Sequence, residues 1–302
     1  MRENLHPQES NETPGTLYVV GTPIGNLEDI TLRALKVLNG VDLIAAENVA
    51  HTKSLCEHYE IKKRVTSYHQ HNRGAKSKTL LSLLLSGKSV ALVTDAGTPG
   101  ISDPGTYLID RAVKEAIPVT PIPGPSAVIS ALSVSGMPTA GFVFLGFLSS
   151  KGGKRRKELE GLREEARTLV FFESPHRLIG MLTDLRDVLG NRRMVLHKEM
   201  TKVFEEARRG RVADILSEVA SRKVRGEYTL VVSGSGDKPT RNASIDKRVV
   251  SRIASLLEAR DRSLRDIAQR ISVEEGLPYR DIYKQCLRTK DGLEDQHQHG
   301  IG

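Results

Sequence analysis

The chain has 302 residues, with 45 Lys and Arg against 37 Asp and Glu, for a formal net charge of +8. This length predicts about two domains. With 38% hydrophobic and 27% charged residues, the composition excludes both a disordered chain and a membrane protein. The excess of positive charge favours a polyanionic partner.

The two cysteines, Cys56 and Cys286, lie far apart and form no CxxC spacing. This excludes a disulfide framework and a zinc ribbon, and it favours a cytoplasmic protein without a metal site. No apolar stretch approaches the roughly 20 residues that cross a bilayer. We expect residues 1–14, which are polar, to be a flexible leader.

Between Thr16 and Val232, short β-branched runs alternate with helical periodicity, which predicts an α/β fold. The predicted strands are Thr16–Val20, Asp42–Ala46, Ser89–Thr94, Val119–Pro121, Phe142–Phe147, Thr168–Phe172, Arg193–His197 and Tyr228–Val232. One predicted helix begins after Asp29 as its N-cap and ends at Asn39-Gly40, and another begins at Ser174 with Pro175 in its first turn.

A change in composition near Pro138 divides the α/β region into predicted domains over residues 15–137 and 138–235. A segment rich in Gly, Ser, Asp and Pro follows from Ser233 to Asn242 and is typical of a linker. Residues 243–290 have a helical pattern, and the segments beginning at Ser263 and Leu277 resemble a small helix-turn-helix unit.

Glycine- and proline-rich loops follow three predicted strands of the first half, beginning at Gly21, Asp95 and Pro121. Each loop by itself is as compatible with a tight turn as with a binding site. Together they predict a pocket that meets its ligand through backbone atoms, because ligands bind at the carboxyl ends of strands. The spacing of Gly21 and Gly25 does not match GxGxxG, and Ser82 stands where a Walker A loop requires Gly. Carbonyl-rich loops of this kind suit a cationic or neutral ligand.

Two basic clusters are candidate RNA surfaces, although a solvated protein face has the same composition. The first cluster lies between Glu60 and Asp95, a stretch that contains no acidic residue. The second lies between Lys151 and Lys157. The residues predicted to contact RNA are Arg73, Lys76, Lys78, Lys154, Arg155 and Arg177.

Four segments, taken together, resemble the ribosomal RNA small subunit methyltransferase I family of the tetrapyrrole methylases. They are Leu17-Tyr-Val-Val-Gly-Thr-Pro-Ile-Gly-Asn, Thr94-Asp-Ala-Gly-Thr-Pro-Gly-Ile-Ser-Asp-Pro-Gly, Pro123-Gly-Pro-Ser-Ala and Phe172-Glu-Ser-Pro-His-Arg. The resemblance covers Gly15 to Ser233 in unbroken order, and it is weaker over the helical C-terminal extension.

The resemblance implies two α/β domains with S-adenosylmethionine in the cleft between them. It further implies a homodimer and 2′-O-methylation of a cytidine ribose in the decoding region of small-subunit rRNA, within assembled or partly assembled subunits. The residues that it places around the cofactor are Pro23, Asp95, Gly97, Thr98, Ile101, Ser126, Ala127 and Phe147.

The ribose hydroxyl must lose its proton, and the candidate bases are Glu47, Glu173, Lys198 and Glu199. The family usually has Ala-Glu-Asp-Thr-Arg where this chain has Ala46-Glu-Asn-Val-Ala, so an acid and an arginine are missing beside Glu47. Two alternatives therefore stay open. One is a small-molecule methyltransferase of the tetrapyrrole type, and the other is a cofactor-binding RNA-binding or assembly protein with weakened catalysis.

Overall fold

The computed structural model describes residues 13–101, 103, 105–236, 247–259, 263–275 and 279–298. The chain divides into two compact units, Met1–Asp237 and Lys238–Gly302. Most of the predicted leader and of the linker, residues 1–12 and 237–242, lies outside the described residues.

The first sheet is parallel and has the strand order β3-β2-β4-β1-β5. Its strands are β1 (Leu17–Val20), β2 (Leu43–Ala46), β3 (Val65–Ser67), β4 (Val90–Val93) and β5 (Val119–Ile122). The helices between and after them are α1 (Leu32–Gly40), α2 (Val49–His58), α3 (Arg73–Leu85), α4 (Gly105–Lys114) and α5 (Ala127–Ser133). Because all five strands run the same way, the loops that follow them meet at one edge of the sheet.

The second sheet has the order β6-β7-β10-β8-β9, in which only the β6–β7 pair is parallel. Its strands are β6 (Phe142–Gly146), β7 (Thr168–Glu173), β8 (Arg193–Lys198), β9 (Glu206–Arg211) and β10 (Tyr228–Val232). Its helices are α6 (Gly152–Glu160), α7 (Leu178–Leu189) and α8 (Val212–Ala220).

Helix α5 joins the two sheets by packing on the second one. Val128 and Leu132 of α5 belong to one hydrophobic cluster with Val170 of β7, Val195 of β8 and Val231 of β10. On the opposite face of that sheet, a larger cluster packs α7 and α8 against the strands. The second sheet is therefore covered on both faces, with α5 supplied by the first half of the chain.

The C-terminal unit contains the helices α9 (Lys247–Glu258), α10 (Leu264–Glu275) and α11 (Tyr279–Gln298). Its core includes Ile253, Ile267, Ile271 and Ile282. The side chain of Ser263 accepts a hydrogen bond from the Asp266 N–H at 3.3 Å, which agrees with its predicted place at the start of a helix. The predicted fold class, two α/β sheet regions and a helical extension, is confirmed.

Two strands, β3 and β9, were not predicted from the sequence. Strand β9 reads Glu-Ala-Arg-Arg-Gly-Arg and has no alternation of apolar residues, yet all six of its residues pair with β8. Both strands lie at sheet edges, where pairing on one side is enough to form a strand. The predicted domain boundary near Pro138 falls between α5 and β6, and the division into two domains stays a prediction.

Two predicted helix starts are wrong. Thr31, not Asp29, caps α1, since its hydroxyl accepts from the Ala34 N–H at 3.1 Å while Asp29 closes a short 3₁₀ turn. Helix α7 begins at Leu178 and not at Ser174 as predicted, and Pro175 lies in the turn that precedes the helix. In the described part of the chain, no helix is long and apolar enough to span a bilayer.

A buried ion pair links α6 to α7. Arg155 donates from Nε to Asp184 Oδ2 at 2.7 Å, Arg156 contacts the other Asp184 oxygen at 2.9 Å, and both Arg155 and Asp184 are buried. Removing one partner leaves the other charge buried and uncompensated.

We expect Asp184→Ala to lower the free energy of unfolding by about 3–5 kcal/mol, measured by urea denaturation. The matched control is Asp110→Ala, which removes an exposed pair with Lys114 and should cost less than about 0.5 kcal/mol. Replacing both partners, with Arg155→Met and Asp184→Leu, should recover most of the loss. An Asp184→Ala variant as stable as the control would contradict the assignment.

Candidate functional site

Three loops at the carboxyl edge of the first sheet are joined into one rim. The Thr22 N–H donates to the Gly97 carbonyl at 2.9 Å, and the Gly97 N–H donates back to Thr22 at 3.1 Å. A Cβ on Gly21 would lie 2.9 Å from the Gly124 Cα, a distance that real Cβ atoms do not show. The loops after β1, β4 and β5 therefore meet backbone to backbone, and glycine is required where they meet.

Side chains within the rim fix the conformation of these loops. Asp103 accepts hydrogen bonds from the N–H groups of Gly100 at 2.6 Å and Gly105 at 2.9 Å. Gly97 has φ +78°, in the left-handed region that favours glycine. Ser126 caps α5 through the Ile129 N–H at 3.4 Å. Contacts within the protein therefore fix the shape of these loops.

A cavity of about 720 Å³ opens between this rim and the second sheet, which is a size typical of small-molecule sites. Six of the residues predicted to hold the cofactor line it: Gly97, Thr98, Ile101, Ser126, Ala127 and Phe147. Pro23 and Asp95 are not lining residues, although their neighbours Ile24 and Ala96 are.

Glu173, at the end of β7, lines the cavity with a fully buried carboxylate. Its Oε1 accepts from the Ser174 N–H at 2.8 Å and faces Arg177 Nε at 3.3 Å, whereas Oε2 has no partner among the described residues. A buried, unsatisfied carboxylate oxygen is costly unless a donor or cation reaches it. It therefore fits a cationic or hydrogen-bonding ligand in the cavity.

His197 on β8 also lines the cavity, and it was not among the site residues predicted from the sequence. It is 2% exposed, and its Nε2 has no hydrogen-bond partner in the described part of the chain. Burial lowers the pKa of His197, as does the charge of Arg209, although Glu205 and a hydrogen bond with the Ala131 backbone oppose this shift. The ring is accordingly neutral at pH 7.

Glu199, a predicted base, lines the cavity, but its carboxylate already accepts hydrogen bonds from other groups of the protein. Its Oε1 accepts from Lys202 Nζ at 3.0 Å and from the Glu227 N–H at 2.9 Å. Burial acts to raise the pKa of Glu199, but the Glu227 N–H and Lys202 outweigh it, so the net pKa is lowered. Glu199 and Thr201 have φ values of 52° and 65°, so this turn is held in an uncommon conformation.

Lys198, another predicted base, does not line this cavity. It lines a smaller cavity of about 90 Å³ together with Glu206 and Arg208. Successive residues of a strand point to opposite faces, which separates Lys198 from the adjacent His197. Its placement gives no support to a role in proton transfer.

Glu47, the remaining predicted base, follows β2 and is half-buried, and it is not one of the residues that line the 720 Å³ cavity. Burial raises the pKa of the Glu47 carboxyl, and the nearby charges of Asp95 and Asp103 raise it further, against a hydrogen bond from the Asp95 backbone and the charge of His69. The next residue, Asn48, caps α2 by accepting from the Ala50 N–H at 3.0 Å and the His51 N–H at 3.2 Å.

The predicted RNA contacts differ in accessibility. Lys78 on α3 and Lys154 on α6 are exposed, Lys76 is half-buried, and the Arg73 guanidinium lies 5.4 Å from the Tyr107 ring centroid. Arg155 is buried against Asp184, and Arg177 donates to the Leu148 carbonyl at 2.5 Å while facing Glu173. The structure therefore places Arg155 and Arg177 in structural ion pairs, and we leave them out of the RNA surface. Within the described ranges, no group of three or more His, Cys, Asp or Glu side chains could hold a metal ion.

Comparison with known proteins gives a consistent result. The family model of Tetrapyrrole (Corrin/Porphyrin) Methylases matches residues 16–216. Ribosomal RNA small subunit methyltransferase I of Halalkalibacterium halodurans is 42% identical over 277 residues, which cover 91% of this chain and 96% of the relative. The protein of the same name from Thermotoga maritima is 48% identical over 220 residues, covering 73% of this chain and 99% of the relative.

Two solved structures share the fold at low sequence identity. The chain matches uroporphyrin-III-C-methyltransferase from Thermus thermophilus with 24% identity and a TM-score of 0.54, covering 73% of this chain and 94% of the other. It matches a cobalt precorrin-4 methyltransferase with 17% identity and a TM-score of 0.56, covering 72% and 94%. The chain is a methyltransferase whose methyl donor is S-adenosylmethionine, and it belongs to the ribosomal RNA small subunit methyltransferase I family of the tetrapyrrole methylases.

Proposed function

We propose that this protein methylates the 2′-hydroxyl of a cytidine ribose in the decoding region of small-subunit rRNA, with S-adenosylmethionine bound in the 720 Å³ cavity. The observation that carries the proposal is this glycine-rimmed cavity with its unsatisfied buried carboxylate, in a chain of the rRNA methyltransferase family. We further propose that it acts in the cytoplasm as a homodimer, on assembled or partly assembled subunits.

The cavity residues fit the cofactor in charge and shape. Gly97, Thr98 and Ser126 would hold it along the rim, and the free Oε2 of Glu173 offers a negative acceptor in a mostly apolar cavity. When bound, the cofactor supplies an electrophilic methyl group. The main contribution of the chain to the reaction is alignment of donor and acceptor, worth about 7–11 kcal/mol in good cases.

Among the candidate bases, we propose Glu47 as the group that takes the ribose proton. Its raised pKa brings the carboxyl nearer to neutral pH, which favours proton acceptance, whereas the pKa of Glu199 is lowered by its own partners. Glu173 faces Arg177 and the Ser174 N–H with one oxygen, so we assign it to ligand binding.

A tetrapyrrole-type substrate is the second candidate, because the two structural neighbours are named as methyltransferases of uroporphyrin III and of cobalt precorrin-4. Their identities of 24% and 17% support only the fold, while the rRNA methyltransferases are 42% and 48% identical. The third candidate is a protein with weakened catalysis, and it is based on Asn48 and Ala50, which replace the aspartate and arginine usual in the family. The rRNA measurement described below distinguishes such a protein from an active enzyme.

Cofactor binding is tested by isothermal titration calorimetry with S-adenosylmethionine. Gly97→Arg should weaken binding at least about tenfold, because its side chain would enter the cavity. The control is Gly190→Arg, which places the same side chain at another positive-φ glycine, outside the cavity, and should leave affinity unchanged. Equal binding by the two variants would show that the cofactor lies elsewhere.

RNA binding is tested by its salt dependence. Changing Arg73, Lys76 and Lys78 together to Ala should flatten the slope of log affinity against log salt by up to about 3, because each lost phosphate contact releases one counterion fewer. Lys114→Ala is the control, since Lys114 pairs with Asp110 on an exposed face of α4. A triple variant with the wild-type slope would assign α3 to a solvated surface.

The reaction itself is tested on small-subunit rRNA from cells with and without the protein. Reverse transcription at low nucleotide concentration should pause at one decoding-region cytidine only when the protein is present, and alkaline hydrolysis should spare the same bond. Wild type should restore the pause, whereas Gly97→Arg and Glu47→Gln should restore little of it. An identical pause in cells without the protein would refute the proposed activity.

A further inference from the structure

A second cavity, of about 90 Å³, lies on the opposite face of the second sheet, where α8 packs. Leu196 and Val219 form part of its apolar wall and belong to the hydrophobic cluster between α8 and the sheet. Four basic side chains and one acidic side chain also line it, from β8, β9 and the segment after α8: Lys198, Arg208, Arg222, Lys223 and Glu206. An excess of cations around a concave surface favours an anionic ligand.

The carboxylates near this cavity are already paired with its arginines. Arg208 contacts Glu218 at 2.5 Å and also contacts Glu206, which lies 3.9 Å from Arg222. Glu206 is opposite Lys198 in the β8–β9 ladder, yet its Oε1 accepts from Arg208. Two carboxylates thus balance two arginines, and the positive charges of the two lysines remain uncompensated.

The two lysines differ in what explains their presence. Within the described ranges, neither Lys198 nor Lys223 forms an ion pair. Lys223 follows α8, and the carbonyl end of a helix favours a cation without any ligand. Lys198 is half-buried on an inner strand, and the carboxylate of its neighbour Glu199 is paired with Lys202. A bound anion would compensate the charge of Lys198, which no group of the protein does.

The ladder of the second sheet places this cavity beside the larger one. Tyr228 lines both cavities, and it pairs with Lys198 on one side and with Glu173 on the other. Neighbouring strands lie about 4.8 Å apart, so Lys198 and Glu173 are separated by about 10 Å across the sheet. Because RNA carries one phosphate per nucleotide, a strand whose ribose enters the larger cavity brings a phosphate within reach of the smaller one.

The size of the smaller cavity limits what it can hold. A volume of 90 Å³ equals that of about three water molecules in the liquid, which admits one phosphate group and excludes a nucleoside. Lysine ammonium groups bind phosphate as point charges and donate hydrogen bonds to its oxygens.

We propose that Lys198 and Lys223 together hold one backbone phosphate of the RNA in this cavity, close to the nucleotide that is methylated. The inference rests on the proposed rRNA substrate. It adds a contact that fixes the position of the RNA strand and reads no base.

The test measures binding to small ribosomal subunits at several salt concentrations. Lys198→Met and Lys223→Met each remove an ammonium group and keep most of the apolar side chain. The double variant should bind about three- to tenfold more weakly at about 0.1 M salt, and the slope of log affinity against log salt should flatten by about 1, the value for one phosphate. Lys198→Arg, which keeps the charge, should retain the wild-type slope.

Lys114→Met is the matched control, because Lys114 is paired with Asp110 on an exposed face of α4, and it should keep the wild-type slope. An unchanged slope in the double variant would overturn the proposal. A loss near 2 would do the same, because it would mean that the lysines meet two separate phosphates on an open surface. Inorganic phosphate is the probe for a free anion: saturable heat in calorimetry with wild type, together with an unchanged RNA slope in the double variant, would assign the cavity to free phosphate.

Steady-state methylation of subunits separates this role from proton transfer, for which Lys198 was a candidate. Lys198→Met should raise KM for subunits about three- to tenfold and leave kcat within about twofold of wild type. A fall in kcat with an unchanged KM would place Lys198 in the chemistry and overturn the phosphate assignment. Affinity for S-adenosylmethionine should not change, because Lys198 does not line the larger cavity. Wild type that bound no subunits would refute the proposed function and this subsite with it.

Discussion

The close approach of backbone to backbone at the rim is the constraint on which the site depends. Gly21 and Gly124 leave no room for a Cβ, and Thr22 and Gly97 exchange two hydrogen bonds across neighbouring loops. These contacts bring three strand ends together, and the hydrogen bonds satisfy polar backbone groups that would otherwise need water. A side chain at either contact glycine would push the loops apart and open the cavity. The glycines are therefore needed for the shape of the site even where they do not contact a ligand. Helix α5, which follows the last loop of the rim, packs on the second sheet through Val128 and Leu132.

The sequence predicts what depends on local pattern and misses what depends on tertiary pairing. Buried strands such as Tyr228–Val232 are clear because β-branched and aromatic residues follow one another between turn signals. Strand β9 contains three arginines, and it forms because its backbone pairs with β8. His197 gave no signal by itself, since a histidine in an apolar strand is compatible with many core environments. Arg155 was predicted as an RNA contact from its basic neighbours, and only the fold reveals that Asp184, 29 positions later, neutralises it.

The missing acid and arginine beside Glu47 have a limited structural consequence. Asn48 caps α2 with two hydrogen bonds, which is the local role that an aspartate at that position would also fill. Ala50 is exposed, so the absence of an arginine leaves no cavity and no buried charge. The change removes one negative and one positive charge together, and the local net charge is preserved. The raised pKa of the Glu47 carboxyl arises from burial and from Asp95, neither of which involves Asn48 or Ala50.

Part of the positive charge that was predicted to contact RNA is held by the protein itself. Arg155 and Arg177 are held in structural ion pairs, and the Arg73 guanidinium lies over Tyr107. The lysines that stay exposed, such as Lys78 and Lys154, sit on separate helices of different halves. Phosphate contacts from lysines supply affinity but carry no sequence information. The shape of a folded ribosomal subunit can supply the selection of one nucleotide that phosphate contacts do not. This is the physical argument for the substrate proposed above, an assembled or partly assembled subunit in preference to naked rRNA.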